Sequence, residues 1–203
     1  MRLKHGAMSL RKIKHNLLYL YHSSRYITAK RSMTIERYNI KSINFVCHGN
    51  ICRSAFSEYY TRNALKEMGL PIETISCGIS ADQSSRPPDN AIIASRQFGI
   101  DLRNHVPSPM TKEHIDKSSI IFCMHYCHYM TLKYRYPQYE ERTYLLKHIM
   151  WPRQWMLSID DPYDKPLEVF ITCFSEIKSC IDMLVHRIHR NYACIEDRTS
   201  KQP

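Results

Sequence analysis

A cysteine and an arginine six residues apart carry the first chemistry that this sequence suggests. The stretch NFVCHGNICRS, residues 44–54, places Cys47 at the end of a short apolar run and Arg53 before an amphipathic segment. Backbone N–H groups in such a loop can converge on an anion, and the dipole of the following helix adds positive potential. A thiolate is favoured beside a helix N-terminus and a guanidinium, and a guanidinium matches two phosphate oxygens. The stretch therefore predicts a cysteine that attacks phosphorus while Arg53 and loop amides hold the other oxygens.

Attack on a phosphate ester also requires an acid for the leaving oxygen, and the same group can later activate water. The segment SIDDPYD, residues 158–164, contains three acids, Asp160, Asp161 and Asp164, with a proline after the second. The fixed backbone of Pro162 could aim a neighbouring carboxylate at the nucleophile. Residue types alone do not choose among the three acids.

The elements around these residues alternate between strand and helix. Apolar patterns and turn residues predict strands at 43–46, 72–77, 120–124 and 143–149, and helices at 54–68, 89–97, 112–116, 125–136 and 167–189. This alternation is typical of an α/β fold with a parallel sheet that helices cover on both faces. In such sheets the site lies beyond the carboxyl ends of the strands, where Cys47 would be. The chain has no Gly-x4-Gly-Lys-Ser/Thr run, so the loop is not a nucleotide-binding loop.

The charge of the chain is concentrated at its N-terminal end. Residues 1–42 hold ten Lys/Arg and one acid, whereas residues 43–203 hold nineteen Lys/Arg and eighteen acids. The net charge of +10 therefore does not predict that the folded domain binds nucleic acid. We expect a basic extension at 1–41, a catalytic domain at 42–190 and a polar tail at 191–203. Apolar residues at helical spacing predict an amphipathic helix in the extension, where residues 1–32 could contact an acidic membrane surface weakly; a poorly ordered tail is the alternative.

The sequence favours a cytoplasmic location. The N-terminus is too polar and basic for a secretory signal peptide, and no apolar run is long enough to span a membrane. Most of the eight cysteines lie within apolar runs, where free thiols act as small hydrophobic groups. A reducing compartment with free thiols is therefore expected.

The stretch VCHGNICRS, residues 46–54, is similar to the signature of the low-molecular-weight protein tyrosine phosphatases. That family also carries an Asp-Pro-Tyr/Phe loop before its last helix, matched here by residues 161–163, and its middle part resembles Pro88-Asp89 and residues 98–105. The likeness covers roughly residues 42–190. It implies a four-stranded parallel sheet flanked by helices on both faces, with a phosphate-binding loop after the first strand. It also implies hydrolysis of protein phosphotyrosine and small aryl phosphates through a phosphocysteine intermediate, without metal or cofactor.

The resemblance implies a role for each matching residue. Cys47 would be the nucleophile, Arg53 would bind the phosphoryl group, and Asp161 would act first as acid and then as base. Ser54 would hydrogen-bond the thiolate, and Cys52 matches a loop cysteine that can form a reversible disulfide with the nucleophile. Asn50, with Ser76 and His105, would hold the loop in its shape. The implied substrate-binding residues are His48, Gly49, Asn50, Ile51, Cys52, Ser54 and Tyr163.

Three positions depart from the family pattern. Asp82 and Asp164 stand where aromatic residues are common, and His125 stands where the family usually has Asp. These positions belong to the rim of the cleft, so we expect the chemistry to be kept and the peptide preference to change. The expected partners are phosphotyrosine-containing proteins, and the expected state is a monomer.

Several other functions remain open at the level of sequence. On the same scaffold, protein arginine phosphatases tend to have Thr where Ile51 stands, so Ile51 favours phosphotyrosine. Thioredoxin-coupled arsenate reductases use two further cysteines after the third strand, but Cys123 and Cys127 are too closely spaced for that pattern. A non-catalytic phosphotyrosine-binding module is another alternative. The group Cys123, His125, Cys127 and His128 also suggests zinc, although no second ligand pair follows at a suitable spacing.

Overall fold

A computed structural model describes Tyr21, Ser24, Tyr26, Ile27 and Lys30, then residues 39–152 and 156–199, with side chains given as far as Ala193. The chain divides into two compact units, Met1–Met33 and Thr34–Pro203. In the first unit, the Ser24 hydroxyl donates to the Tyr21 carbonyl and the Lys30 N–H donates to the Tyr26 carbonyl. The predicted amphipathic helix and most of the predicted extension lie outside the described residues.

Four parallel strands form the sheet that organises the second unit. They are β1 (Ser42–Cys47), β2 (Glu73–Gly78), β3 (Ile120–Cys123) and β4 (Thr143–Leu145), in the spatial order β2-β1-β3-β4. In the register, Phe45 lies between Ser76 and Phe122, and Cys47 is paired with Gly78 at the carboxyl edge. The predicted four-stranded parallel sheet is confirmed.

The predicted fourth strand at 143–149 was too long. The strand ends at Leu145, and Leu146–Met150 forms a 3₁₀ helix. Residues 146–149 are all buried, so the run lacks the alternation of a half-buried strand. A short run with apolar residues at its ends, here Leu146 and Ile149, does not distinguish a strand from a buried helical turn, which explains the error.

Five α-helices are described in the second unit, and they confirm the helical segments that the sequence predicts. They are α1 (Arg53–Glu67), α2 (Asp89–Arg96), α3 (Lys112–Lys117), α4 (Tyr126–Arg135) and α5 (Leu167–Thr199). A 3₁₀ helix at Pro137–Arg142 was not predicted. Within the residues described, no helix combines the length and the apolar character that a membrane span requires.

The last helix is longer than the sequence suggested. It was expected to end at residue 189 before a polar tail, but α5 continues to Thr199. Residues 190–199 contain neither Gly nor Pro, so nothing in them ends a helix that is already formed. At this end the Tyr192 hydroxyl donates to the Ile40 carbonyl at 3.0 Å, immediately before β1. The polar composition of residues 190–199 therefore did not show that the segment is helical.

The core fixes the position of the loop that follows β1. All six residues of β1 are buried, and the strand lies between two neighbours. Helix α1 packs on α5 through Phe56 and Phe174, whose rings stack with centroids 4.2 Å apart. The predicted apolar stripe of α5 is confirmed, because Phe170, Cys173, Phe174, Ile177, Ile181, Leu184 and Ile188 are all buried. With both the strand and the helix held in the core, the β1–α1 loop has little freedom to move.

Candidate active site

A cavity of about 140 Å³ opens at the carboxyl end of β1. Its lining comes from the β1–α1 loop and from the segment before α5, and consists of Cys47, His48, Gly49, Ile51, Cys52, Arg53, Asp161 and Tyr163. Helix α1 starts at this cavity, and no side chain caps its N-terminus at Cys52. The first N–H groups of α1 are therefore suited to bind the oxygens of an anion.

The Cys47 thiol is buried and lies among hydrogen-bond donors. Its Sγ lies 2.9 Å from the Ser54 hydroxyl oxygen and accepts the Asn50 backbone N–H at 3.2 Å. Only 3% of Cys47 is exposed. Hydrogen bonds to a sulfur favour its charged form, so this environment suits a thiolate.

Asn50 holds the loop in a conformation that L-residues rarely adopt. Its φ is 54°, in the left-handed region. The Asn50 side-chain amide donates to Ser54 Oγ and to Ser76 Oγ, each at 2.8 Å, and its Oδ1 accepts the Ser108 N–H at 2.8 Å. His105 Nε2–H donates to the Asn50 carbonyl at 2.7 Å. Thus Ser76 and His105, both predicted to support the loop, contact Asn50 directly.

Gly78 allows the loop to lie close to β2. A Cβ at this position would come within 2.6 Å of the His48 carbonyl oxygen and 2.9 Å of the Asn50 nitrogen. These are backbone atoms of the loop itself, so they could not rotate away. Only glycine fits here without displacing the loop, a requirement that the sequence pattern did not reveal.

Arg53 and Asp161 meet across the cavity. Arg53 is 3% exposed, and its guanidinium donates to the Ile159 carbonyl at 3.0 Å and pairs with the Asp161 carboxylate. The other oxygen of Asp161 accepts the Tyr163 N–H at 3.2 Å. Of the three acids in this segment, only Asp161 lines the cavity. The geometry therefore places one carboxylate, one guanidinium and one thiol around a single small space.

Comparison with known proteins agrees with this arrangement. The family model described as low molecular weight phosphotyrosine protein phosphatase matches residues 42–194. The chain belongs to this phosphatase family.

Individual relatives support the assignment and show its breadth. A protein-arginine-phosphatase of Geobacillus stearothermophilus is 30% identical over 147 residues, which are 72% of this chain and 95% of that protein. A protein of Ralstonia solanacearum named as a probable low molecular weight protein-tyrosine-phosphatase is 29% identical over 149 residues, 73% of this chain and 97% of that one. The solved Erwinia amylovora tyrosine phosphatase AmsI superposes with a TM-score of 0.67 and 26% identity, covering 76% of this chain and 97% of that one.

This member of the phosphatase family carries two buried, unpartnered nitrogens near its cavity. Arg53 Nε and His128 Nδ1 are both buried and have no hydrogen-bond partner within the part of the chain that is described. Burial, and then the charges of Arg53, His125 and His48, lower the pKa of His128 to about 3. His128 is therefore a neutral imidazole that lies close enough to Arg53 to be affected by its charge.

The cysteines and histidines that suggested other chemistry have defined structural places in this phosphatase. Cys123 is fully buried in β3, and His125 caps α4 by accepting the Cys127 N–H at Nδ1. Among the described residues, no group of three or more His, Cys, Asp or Glu side chains could hold a metal ion. Burial, reinforced by the neighbouring Cys47 and Asp161 charges, raises the pKa of the Cys52 thiol well above its usual value.

Gly78 lies against the loop, Glu58 accepts the Ser76 hydroxyl, and the Arg53 charge acts on His128. None of the three was anticipated from the sequence as part of the site. Gly78 ends β2, and the sequence pattern does not show how closely the loop approaches it. Glu58 lies five residues after Arg53 on α1, on the turn that faces β2. Helical spacing from the signature could have identified Glu58, whereas no sequence pattern relates His128 to Arg53.

Proposed function

We propose that this protein hydrolyses protein phosphotyrosine through a phosphocysteine intermediate. The observation that carries the proposal is the meeting of Cys47, Arg53 and Asp161 on one cavity at the N-terminus of α1. In the first step the Cys47 thiolate attacks phosphorus and the bond from phosphorus to the tyrosyl oxygen breaks. Asp161 gives its proton to that oxygen, so tyrosine leaves in neutral form.

The second step returns the enzyme to its starting state. The Asp161 carboxylate takes a proton from water, and the resulting nucleophile attacks phosphorus as the S–P bond breaks. Inorganic phosphate leaves and Cys47 is again a thiolate. In both steps Arg53 and the amides at the start of α1 hold the non-reacting oxygens as their charge develops.

The pair between Arg53 and Asp161 couples substrate binding to acid catalysis. A phosphate ester that binds Arg53 competes with Asp161 for the guanidinium. The dianionic ester also disfavours a second negative charge beside it. Binding therefore favours the protonated Asp161 that the leaving oxygen requires.

Two residues favour a phosphotyrosine ring over a phosphorylated guanidinium. Ile51 and Tyr163 line the cavity, and half of Tyr163 is exposed at its mouth. An aromatic ring gains apolar contact with Ile51 and ring contact with Tyr163. Phosphoarginine is the second candidate substrate, because a protein-arginine-phosphatase is 30% identical to this chain.

The proposal is tested by steady-state hydrolysis of a phosphotyrosyl and a phosphoarginyl peptide of the same sequence, without added metal. We expect turnover of phosphotyrosine that Cys47→Ser abolishes and Cys52→Ser leaves measurable. A preference for phosphoarginine would keep the mechanism and overturn the substrate. Tight phosphopeptide binding without turnover by the wild type would instead identify a binding module.

We also propose that the protein works as a monomer in the cytoplasm. Gel filtration tests the oligomeric state, and cell fractionation tests the location.

A further inference from the structure

A path of hydrogen bonds leads from the nucleophile to a carboxylate on α1. Cys47 Sγ lies 2.9 Å from Ser54 Oγ, which accepts from Asn50 Nδ2 at 2.8 Å. Asn50 Nδ2 also donates to Ser76 Oγ at 2.8 Å, and the Ser76 hydroxyl donates to Glu58 Oε2 at 2.5 Å. Only 13% of the Glu58 side chain is exposed. A largely buried carboxylate thus ends the network that begins at the thiol.

The direction of every bond in this path follows from one backbone amide. The Ser108 N–H can only donate, so the Asn50 side-chain atom that it contacts must be the carbonyl oxygen. Asn50 Nδ2 therefore faces both serines, and each serine oxygen accepts one of its two N–H groups. Each serine hydroxyl can then donate its proton only to its other partner in the path. Ser76 gives its proton to Glu58, and Ser54 gives its proton to Cys47.

We propose that Glu58 is a positioning residue for the Cys47 nucleophile. By accepting the Ser76 proton, its carboxylate keeps the Ser76 oxygen available as the acceptor that holds Asn50. Asn50 in turn places its own backbone N–H and the Ser54 hydroxyl on Cys47 Sγ. The inference depends on the proposed function only in taking Cys47 as the nucleophile.

The two carboxylate oxygens of Glu58 have separate partners. Oε1 pairs with Arg62, one turn further along α1, whereas Oε2 receives the Ser76 hydroxyl. Half of the Arg62 side chain is exposed, and exposed ion pairs contribute little to stability. The contact with Ser76 is different, because Ser76 is 6% exposed and its hydroxyl proton has no solvent to turn to. The ion pair can therefore be removed while the contact with Ser76 is kept.

Loss of the Glu58 carboxylate should weaken the hydrogen bonds that Cys47 Sγ receives. A buried hydroxyl without an acceptor is costly, and the other partner of Ser76, Asn50 Nδ2, is a donor that cannot accept its proton. Any turn of the Ser76 proton toward Asn50 places two donors against each other and releases one side of Asn50. With φ at 54°, Asn50 then has less to hold its conformation, and Cys47 loses two aligned donors.

The test compares Glu58→Ala, Glu58→Gln and Arg62→Ala in the full chain. The rate of Cys47 alkylation by iodoacetamide is followed by mass spectrometry from pH 4.5 to pH 8, beside hydrolysis of p-nitrophenyl phosphate. For Glu58→Ala we expect the alkylation profile to move about one pH unit higher and kcat/KM to fall about tenfold, as for loss of one hydrogen bond to a charged acceptor. Glu58→Gln keeps an oxygen for the Ser76 proton and should stay within about threefold of wild type.

Arg62→Ala is the matched control, because it removes the ion pair and leaves Oε2 in place. It should alkylate as the wild type does. If Glu58→Ala and Arg62→Ala give the same profile as the wild type, Glu58 is only half of a surface ion pair and the proposal is wrong. Apart from the substituted side chain itself, the titratable and charged groups around Cys47 are the same in every variant, namely His48, Cys52, Arg53, Cys77 and Asp161.

A double variant tests the route through Ser76. Because Glu58 acts on Cys47 through Ser76, Glu58→Ala with Ser76→Ala should shift the profile no further than Ser76→Ala alone. Additive shifts would overturn the route. Should Glu58→Ala fail to fold, Glu58→Leu, which fills the space but offers the Ser76 proton no oxygen, gives the same decision when it is compared with Glu58→Gln. Alkylation needs no substrate, so an enzyme that hydrolysed neither phosphopeptide would defeat the proposed function while this comparison still decided the role of Glu58.

Discussion

The floor and the rim of the cavity are built in opposite ways. The floor is the loop Cys47–Ser54, in which Asn50 is fully buried and bound on every side by Ser54, Ser76, His105 and Ser108. The rim is the segment 158–164, in which the Asp161 side chain is 48% exposed and is held by Arg53 and a single backbone N–H. The floor is suited to bind an anion with fixed geometry. The rim is suited to exchange partners, as an acid that later acts as a base must do.

The largest effect is expected from Arg53→Lys, which removes the guanidinium from the anion-binding floor. A lysine ammonium cannot reproduce the planar fork that binds two phosphate oxygens, so kcat/KM should fall by about 10³-fold on a phosphotyrosyl peptide. Competitive inhibition by inorganic phosphate should weaken as well, because the same fork binds product. Steady-state kinetics with a phosphate titration measure both effects. Normal phosphate inhibition in Arg53→Lys would mean that the floor binds anions without this side chain.

Asp161→Asn should impair the acid catalysis of the rim and leave the anion binding of the floor intact. The amide cannot protonate the leaving oxygen, so kcat should fall by about 10²-fold. It also carries no charge to compete for Arg53, so inorganic phosphate should inhibit at least as well as it does in the wild type. Asp160→Asn is the matched control, because Asp160 does not line the cavity. Weaker phosphate inhibition in Asp161→Asn would show that Asp161 takes part in anion binding. It would contradict the view that the floor alone binds the anion and the rim supplies the acid.

Residue types alone pointed to the part of the site that a contiguous motif encodes, whereas the parts that the fold assembles came from the family resemblance or were missed. Cys47 and Arg53 were identified from one contiguous loop. The alternation of strands and helices predicted that this loop lies at the carboxyl edge of the sheet. Asp161 could not be chosen among three acids by residue type, since its contact with Arg53 spans 108 positions. The family resemblance, not the local pattern, led to it. Glu58 and Gly78 were missed because their importance lies in how closely β2 and α1 approach the loop.

Secondary structure failed where burial and polarity gave ambiguous signals. The run after Leu145 is buried throughout, Lys147 and His148 included, so only packing decided whether it forms a strand or a 3₁₀ helix. The end of α5 is polar, yet it contains no residue that ends a helix. The predicted strand was therefore too long and the predicted last helix too short, and neither error touched the residues that line the cavity.

Gly78→Ala tests how closely the floor is fitted to the sheet. The added methyl group would meet the His48 oxygen and the Asn50 nitrogen at under 3 Å, so the loop must shift. Overpacking of this kind costs about 1–3 kcal/mol, and we expect kcat to fall about tenfold because the displaced loop holds Cys47 less well. Urea denaturation and steady-state kinetics measure the two effects.

A second substitution checks which atoms cause the clash at Gly78. The methyl group would also approach Ala81 Cβ at 2.8 Å, and Ala81→Gly removes that contact. If the backbone contacts dominate, the double variant Gly78→Ala with Ala81→Gly should remain impaired. Full recovery of kcat in the double variant would place the constraint on Ala81 instead of on the floor.

The last prediction concerns the pH dependence of stability and the buried His128 of α4. The pKa of His128 is lowered from 6.5 to about 3, first by burial and then by the Arg53 charge. Below pH 6.5 the unfolded chain takes up a proton that the folded chain does not. The stability contributed by neutral His128 is therefore present above pH 6.5 and is lost progressively as the pH falls toward 3. The free energy of unfolding should decrease by up to about 1.4 kcal/mol per pH unit from this residue.

His128→Asn should flatten this slope between pH 6.5 and 5, whatever its effect on stability at pH 7. Urea denaturation at several pH values measures the slope, and the exposed His189→Asn serves as the control. An unchanged slope in His128→Asn would mean that another buried group dominates, and His105 would be the first to examine because burial lowers its pKa too. A flattened slope would show that the folded chain holds His128 as a neutral imidazole at pH values where the unfolded chain takes up a proton, so that charging this buried group costs stability.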